Sequence, residues 1–228
     1  MYIATWNLNH RAGRGRFRPE SSNTAIDLGA DLIVFTEYFP REHENQFRST
    51  LSQAGWTEQL ISEQSSEVAN RVLIASKFPL APMALDLPTF DQQFPSNILG
   101  VRLPSLGLSI VGVRVPAYAN KTAHFLFSAW DWLETTAGSL KRGPTIIIGD
   151  LNVQTSSAAS RAGAHFRRIL ANGWHRAAPG EATFFGHKGK VSEIDHILAT
   201  DHCILSEVRV QKHAASDHAA LVCRVELA

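Results

Sequence analysis

The eight residues Thr145 to Asn152, TIIIGDLN, constrain this chain more than any other stretch. Three isoleucines follow a threonine, with Gly143 and Pro144 in front, and such a β-branched run reads as a buried strand. Gly149 ends it, and a carboxylate and an amide follow, Asp150 and Asn152. In an extended segment residues two apart point the same way. A rigid strand would then hold an acid and an amide side by side at its mouth, which is how a scaffold presents chemistry. An Asp-Leu-Asn turn that only closes a strand fits the same letters, because Asp and Asn favour turns.

The pattern recurs along the chain. YIATWNLN reads as a strand with Asn7 and Asn9 at its end, and DLIVFT as a second buried strand ending in Glu37. That Glu is either a solvated terminus or a metal ligand. Val191 to Ala199, VSEIDHILA, reads as a strand with Asp195 in its middle. A charged Asp in a buried strand is costly unless paired, and a histidine partner would remove the cost. Asp217 and His218 lie between two alternating stretches, Leu205 to Val210 and Leu221 to Leu227. Oxygen donors without thiols suit a hard ion, Mg²⁺ or Mn²⁺, and a His with a carboxylate orienter suits acid/base work.

Further strands are expected over Trp56 to Ile61, Arg71 to Ser76, Asn97 to Leu103 and Leu108 to Val113. Helices are expected over Asn23 to Gly29, Glu44 to Ala54, Thr122 to Thr135 and Ala158 to Asn172. This mixture predicts an α/β domain in which two sheets pack face to face under flanking helices. With 44% hydrophobic and 19% charged residues, and no repeat or linker, residues 1–228 read as one domain.

Lys plus Arg number 22 against 21 Asp plus Glu, so net charge calls for no polyanion and any basic patch must be local. The local candidates are Arg11, Arg14, Arg16 and Arg18 in one loop, Lys188 and Lys190 in a turn, and Arg114. The Arg loop reads either as a solvated segment or as a phosphate-touching arm. Two cysteines make no disulfide framework and fit a reduced compartment. The absence of a leader or a long apolar run predicts no signal peptide or membrane span, hence a cytoplasmic protein, by default a monomer.

Taken in order, WNLN, TE, ASKFPL, GDLN, EIDHIL and SDHAAL resemble the endonuclease/exonuclease/phosphatase superfamily, which includes deoxyribonuclease I and the abasic-site endonucleases. Each motif is short, but six in one order span nearly the whole chain. The resemblance implies a four-layer αββα sandwich of two mixed sheets, and hydrolysis of phosphate esters with Mg²⁺ or Mn²⁺. It assigns Glu37, Asn7 and Asp217 to the metal, and Asp150 and Asn152 to the nucleophilic water and the scissile phosphate. Asp195 would hold His218, the acid/base group. The resemblance leaves open whether Asp150 or His218 activates the water. Arg114, Asn9 and Arg11 are the candidate phosphate contacts. Two positions depart from the pattern. Arg114 stands where abasic-site enzymes carry Tyr, and Glu193 stands where Arg usually precedes Ile-Asp. The expected substrate is nucleic acid; a small or lipid phosphate ester is the alternative, and a non-catalytic binding domain the third reading. A serine hydrolase on Ser216, Asp217 and His218 is disfavoured, since adjacent extended residues face opposite ways and no G-x-S-x-G occurs.

Overall fold

The computed structural model describes residues 1–9, 18, 20–39, 44–67, 69–117, 122–156 and 160–228. The first half contributes strands β1 (Tyr2–Asn7), β2 (Leu32–Tyr38), β3 (Glu58–Ile61), β4 (Arg71–Ser76), β5 (Ala81–Pro82), β6 (Ile98–Leu103) and β7 (Leu108–Val113). The second half contributes β8 (Thr145–Asp150), β9 (Trp174–Arg176), β10 (Phe184–Phe185), β11 (Val191–Ser192), β12 (Asp195–Thr200), β13 (Cys203–Gln211) and β14 (Ala220–Leu227). The helices are α1 (Glu20–Asp27), α2 (Glu44–Gln53), α3 (Ala123–Leu140) and α4 (Arg161–Ala171).

Two six-stranded mixed sheets form, in the orders β13-β14-β1-β2-β4-β3 and β5-β6-β7-β8-β12-β9, with a small β10-β11 ribbon beside them. β1 pairs parallel with β2 and antiparallel with β14; β8 pairs parallel with β7 and antiparallel with β12. Side-chain alternation divides the apolar residues into three layers. Ile3, Val34, Ile74, Ile110, Ile146, Ile148, Ile197 and Leu221 pack between the sheets. Trp6, Ile33, Phe35 and Leu73 face outward against Phe47 and Leu51 of α2 and Ala25 of α1. Val111, Ile147 and Leu198 face outward against Trp130 and Leu133 of α3 and Phe166 and Ile169 of α4. This is the four-layer αββα sandwich expected from the sequence.

The alternation also places the polar residues. Ile146 and Ile148 point between the sheets, so Asp150 is the next position on the same face. Ile3 does the same for Asn7 on β1, and Ile197 for Asp195 on β12. The polar groups are therefore the continuation of the inter-sheet core at one end of the sandwich.

Several boundaries differ from expectation. α3 continues past Thr135 to Leu140, because Ala137 prolongs its buried stripe and its carbonyl accepts the Trp174 indole N–H at 3.2 Å. α1 begins at Glu20 rather than Asn23, burying Ser21 and Ser22. The strand expected over Val191 to Ala199 is two strands: β11 pairs with β10 in the ribbon, and β12 enters the large sheet. Asp195 therefore opens a strand instead of lying mid-strand. At the break, the backbone N–H groups of Ile194 and Asp195 both donate to Thr183 Oγ1.

Candidate active site

The ends of β1 and β8 are built by one device. Asn7 Oδ1 accepts the backbone N–H of Asn9 at 2.8 Å, and Asp150 Oδ1 accepts that of Asn152 at 3.0 Å. Each is a turn closed by a side chain two residues back. Asn9 and Asn152 take left-handed backbone conformations, with φ of 49° at both. Asp150 and Asn152 are thus neighbours through a turn, and the extended geometry expected for them is absent; the carboxylate captures the Asn152 amide and bends the chain. Gly149, just before, has φ of 147°, and a Cβ there would lie 1.9 Å from the Val113 carbonyl oxygen, so the approach of β7 to β8 requires glycine.

Asp150 is the hub. Its Oδ2 accepts from Asn7 Nδ2 at 2.8 Å and from Asn152 Nδ2 at 3.0 Å. The second Asn152 amide hydrogen goes to the Val115 carbonyl at 2.8 Å. Both donors of that amide are spent inward, so Asn152 orients the carboxylate. Burial pushes the Asp150 carboxyl up to about 7, with the facing Asp195 adding to the effect. The three amide donors oppose this, since they favour the ionised form.

Asp195 lies directly across from Asp150 in the β8–β12 register and is fully buried. Its Oδ2 is 2.8 Å from His218 Nδ1, the pairing expected from the sequence. The Nδ1–H donates to the carboxylate, which leaves Nε2 for the pocket. Burial works against the His218 imidazolium, but Asp195 outweighs it, with Asp150 and Asp217 in support, and the pKa rises to about 9. The Ser216-Asp217-His218 segment is tied back to β1. Ser216 Oγ donates to the Asn7 carbonyl at 2.7 Å and accepts the His218 N–H at 3.0 Å, while Trp6 Nε1 donates to the His218 carbonyl at 3.1 Å. The β10 ribbon supports its other side: Phe185 N–H donates to the Asp217 carbonyl, and the Phe184 ring lies 4.9 Å from the His218 ring.

Glu37 reaches the site by a local irregularity. Val34 faces the inter-sheet core and Phe35 the helices, so strict alternation would send Glu37 to the helix side. The β2–β4 register shifts between Phe35 and Tyr38, and Glu37 adopts φ of 51°. This bulge swings the carboxylate to the mouth. There Arg114 Nη2 meets Glu37 Oε1 at 2.6 Å, and Arg114 Nε lies 3.9 Å from Asp150 Oδ2. Arg114 extends β7: its N–H donates to the Asn97 carbonyl, and Val115 N–H donates to that of Asp150.

These groups surround a pocket of about 650 Å³ that also takes in Asn9, Asp217 and Lys190, with Leu126, Val153, Ala162, Phe184 and Ile194 as an apolar wall. Asp150, Asp195 and His218 offer ligand atoms within 4.8 Å of one another, but the His218–Asp195 hydrogen bond already occupies one atom of each partner. Glu37 and Asp217, which line the same pocket, offer further carboxylate oxygens of the kind a divalent cation takes. Asp217 Oδ1 is buried with no hydrogen-bond partner among the described residues, and an all-oxygen set fits a hard cation.

Of the expected site residues, Asn7, Asn9, Glu37, Arg114, Asp150, Asn152, Asp195, Asp217 and His218 are brought together. Arg11, with Arg14 and Arg16, lies outside the described residues. Arg18 is described, and its guanidinium donates to the Ala214 carbonyl, three residues before Asp217. Glu193 forms an ion pair with Arg176 of β9, while Thr155 Oγ1 donates to it at 3.3 Å. Sequence reasoning missed the support from Thr183, Ser216 and His196. Burial holds the His196 ring neutral, and its Nε2–H donates to the Val153 carbonyl at 2.8 Å. The only local signal for the three was polar residues beside the motifs.

Comparison with known proteins places this geometry in context. The sequence pattern described as the Endonuclease/Exonuclease/phosphatase family matches residues 4–218. A search of curated proteins returns no match. Among solved structures, the chain is similar to a 3′ phosphatase from Neisseria bound to a product DNA hairpin, with TM-score 0.77, 21% identity and 99% of each chain covered. It is similar to a 3′-5′ exonuclease from Neisseria meningitidis, with TM-score 0.75, 22% identity, and 100% of this chain and 99% of that one covered. An AP endonuclease from Archaeoglobus fulgidus gives TM-score 0.77 at 16% identity over 100% of both chains. At these identities the likeness speaks for the fold.

Proposed function

The chain belongs to the Endonuclease/Exonuclease/phosphatase family, and from that premise we propose that it is a Mg²⁺- or Mn²⁺-dependent phosphodiesterase acting on nucleic acid. The observation that carries this reading is the buried Asp195–His218 hydrogen bond of 2.8 Å, set beside the amide-held Asp150 in one pocket with Glu37 and Arg114.

Glu37 and Asp217 would hold the ion, with the Asn7 side-chain oxygen as a third oxygen donor. Bound there, it would neutralise charge on the phosphoryl oxygens and help the leaving group. The remaining work belongs to the chain. His218, protonated below about pH 9, presents Nε2–H to the phosphate or the leaving oxygen. Asp195 fixes the tautomer and favours the imidazolium. Asp150 is held by Asn7 and Asn152 so that its carboxylate orients, and once ionised deprotonates, the attacking water. Arg114 supplies the fork that binds a phosphate oxygen pair.

Nucleic acid as substrate is supported by charge placement rather than net charge. Lys190 lines the pocket, Lys212 Nζ sits 3.8 Å over the Phe185 ring, and Arg18 reaches Ala214 near the catalytic loop. Of these, Lys190 belongs to the pocket itself, and the DNA hairpin held by the Neisseria phosphatase supports the same class. The test is to assay plasmid, single strands, 3′-phosphorylated duplex, abasic duplex and bis-p-nitrophenyl phosphate with Mg²⁺, with Mn²⁺ and after EDTA. Cleavage of nucleic acid that EDTA abolishes and that Glu37→Gln cannot perform is expected. Turnover of the small ester alone would move the function to small phosphate esters.

A further inference from the structure

The ion pair between Arg114 and Glu37 bears on how the site loads. The contact is 2.6 Å, both side chains are largely buried, at 15% and 11% exposed, and the guanidinium also faces Asp150. Arg114 Nε is buried without a hydrogen-bond partner among the described residues, so the fork is not saturated. The backbone holds Arg114 in place through Asn97 and Asp150, and the Glu37 carboxylate is aimed by its bulge. The carboxylate that suits the cation is thus already engaged by a resident cation.

We propose that Arg114 is an exchangeable counter-cation: a divalent ion takes Glu37 from it, and the released fork turns to the substrate phosphate. This rests on the reading of Glu37 as an ion ligand. A guanidinium and a divalent cation repel across one carboxylate, and charge-assisted hydrogen bonds are the strong ones. An ion that takes Oε1 therefore competes with the Arg114–Glu37 pair, which weakens affinity for the ion. A phosphate that captures the freed guanidinium returns part of that loss, so ion and phosphate bind cooperatively, each raising the affinity of the other by the same factor. Arg114 is then a phosphate-binding residue whose availability depends on the ion.

The test is calorimetric titration of Mg²⁺ into wild type, Arg114→Gln and Arg114→Lys, with and without inorganic phosphate. Replacing the guanidinium by an amide should tighten Mg²⁺ binding about tenfold or more, the equivalent of one charge-assisted contact. Arg114→Lys keeps a cation facing Glu37 and should stay within about threefold of wild type on the same reasoning. Phosphate should tighten Mg²⁺ binding more in wild type than in Arg114→Gln. If the Gln variant does not fold, the Nε–Hε resonance of Arg114 in wild type, assigned by its loss in Arg114→Lys, decides. It should shift along the Mg²⁺ titration. Equal Mg²⁺ affinity in wild type and Arg114→Gln, or an unmoved resonance at saturating Mg²⁺, overturns the exchange. A wild type that binds no Mg²⁺ overturns the metal reading itself, and failure to cut nucleic acid with the exchange intact overturns only the substrate.

Discussion

Replacing Asp195 by Asn tests the electrostatic core of the site. In the wild type, His218 carries a pKa of about 9 despite a burial that acts against the charged ring, and the leading contribution raising it is the Asp195 carboxylate 2.8 Å away. The amide keeps the shape and removes the charge. With its main support gone and burial unchanged, the ring should titrate at or below the ordinary histidine value of about 6.5. At pH 7.5 the imidazolium fraction then falls from nearly all molecules to about a tenth or less. Stability follows the same sign. Because the folded pKa lies above the unfolded one, the charged ring stabilises the fold fully below about pH 6.5, and the benefit fades as pH rises through about 9. The shift corresponds to about 3 kcal/mol as an upper figure. The stability gap between wild type and Asp195→Asn should therefore be widest near pH 6 and shrink towards pH 9.5. Proton NMR of the His218 Cε1–H across pH gives the pKa directly, and urea unfolding at the two pH values gives the gap. A variant ring that still titrates near 9 would refute the assignment of the shift to Asp195.

Three further outcomes are expected. His218→Ala should lower kcat by about 10² to 10⁴, the usual worth of a positioned acid/base; single-turnover rates on a cleaved substrate measure it, and a drop under fivefold would contradict the role. Gly149→Ala drives a Cβ into the Val113 carbonyl and should destabilise by about 3 kcal/mol, read as a lowered urea midpoint with activity lost in step; a wild-type midpoint would contradict the close approach. Replacing Arg11, Arg14, Arg16 and Arg18 by Ser should reduce plasmid cleavage steeply while small-ester hydrolysis holds. If the basic groups make three phosphate contacts, the wild-type slope of log K against log salt should be near −3, and equal plasmid rates for both proteins across a salt series would mark the loop as a solvated segment.

The strand mouths were legible because burial and alternation are local properties. Ile146 and Ile148 fix the face on which Asp150 must emerge, and Ile197 does the same for Asp195. The cost of burying Asp195 pointed to a histidine partner before any geometry was available, and the motif order then picked His218. What stayed hidden depends on contacts distant in sequence. No local pattern says that the strand over Val191 to Ala199 breaks at Glu193, because the break is held by Thr183 and by the Glu193–Arg176 pair. The left-handed turn at Asn152 overrides the extended geometry that a period of two implies. Glu37 at the end of DLIVFT was visible, but its partnership with Arg114 arises from a bulge on one sheet meeting a strand end on the other.

The tie between β1 and the segment carrying His218 also governs when the site can form. Trp6 and the His218 carbonyl are hydrogen-bonded across 212 positions, and β14, which follows His218, is the strand that pairs with one side of β1. Synthesis runs from the amino end, so β1, β2 and the Glu37 bulge emerge long before either element they wait for. Until the last strand docks, the His218 ring has no seat and β1 lacks one neighbour. A chain broken off anywhere before His218 lacks the ring that Asp195 holds. Prematurely terminated copies therefore cannot assemble the site, a consequence of strand order alone.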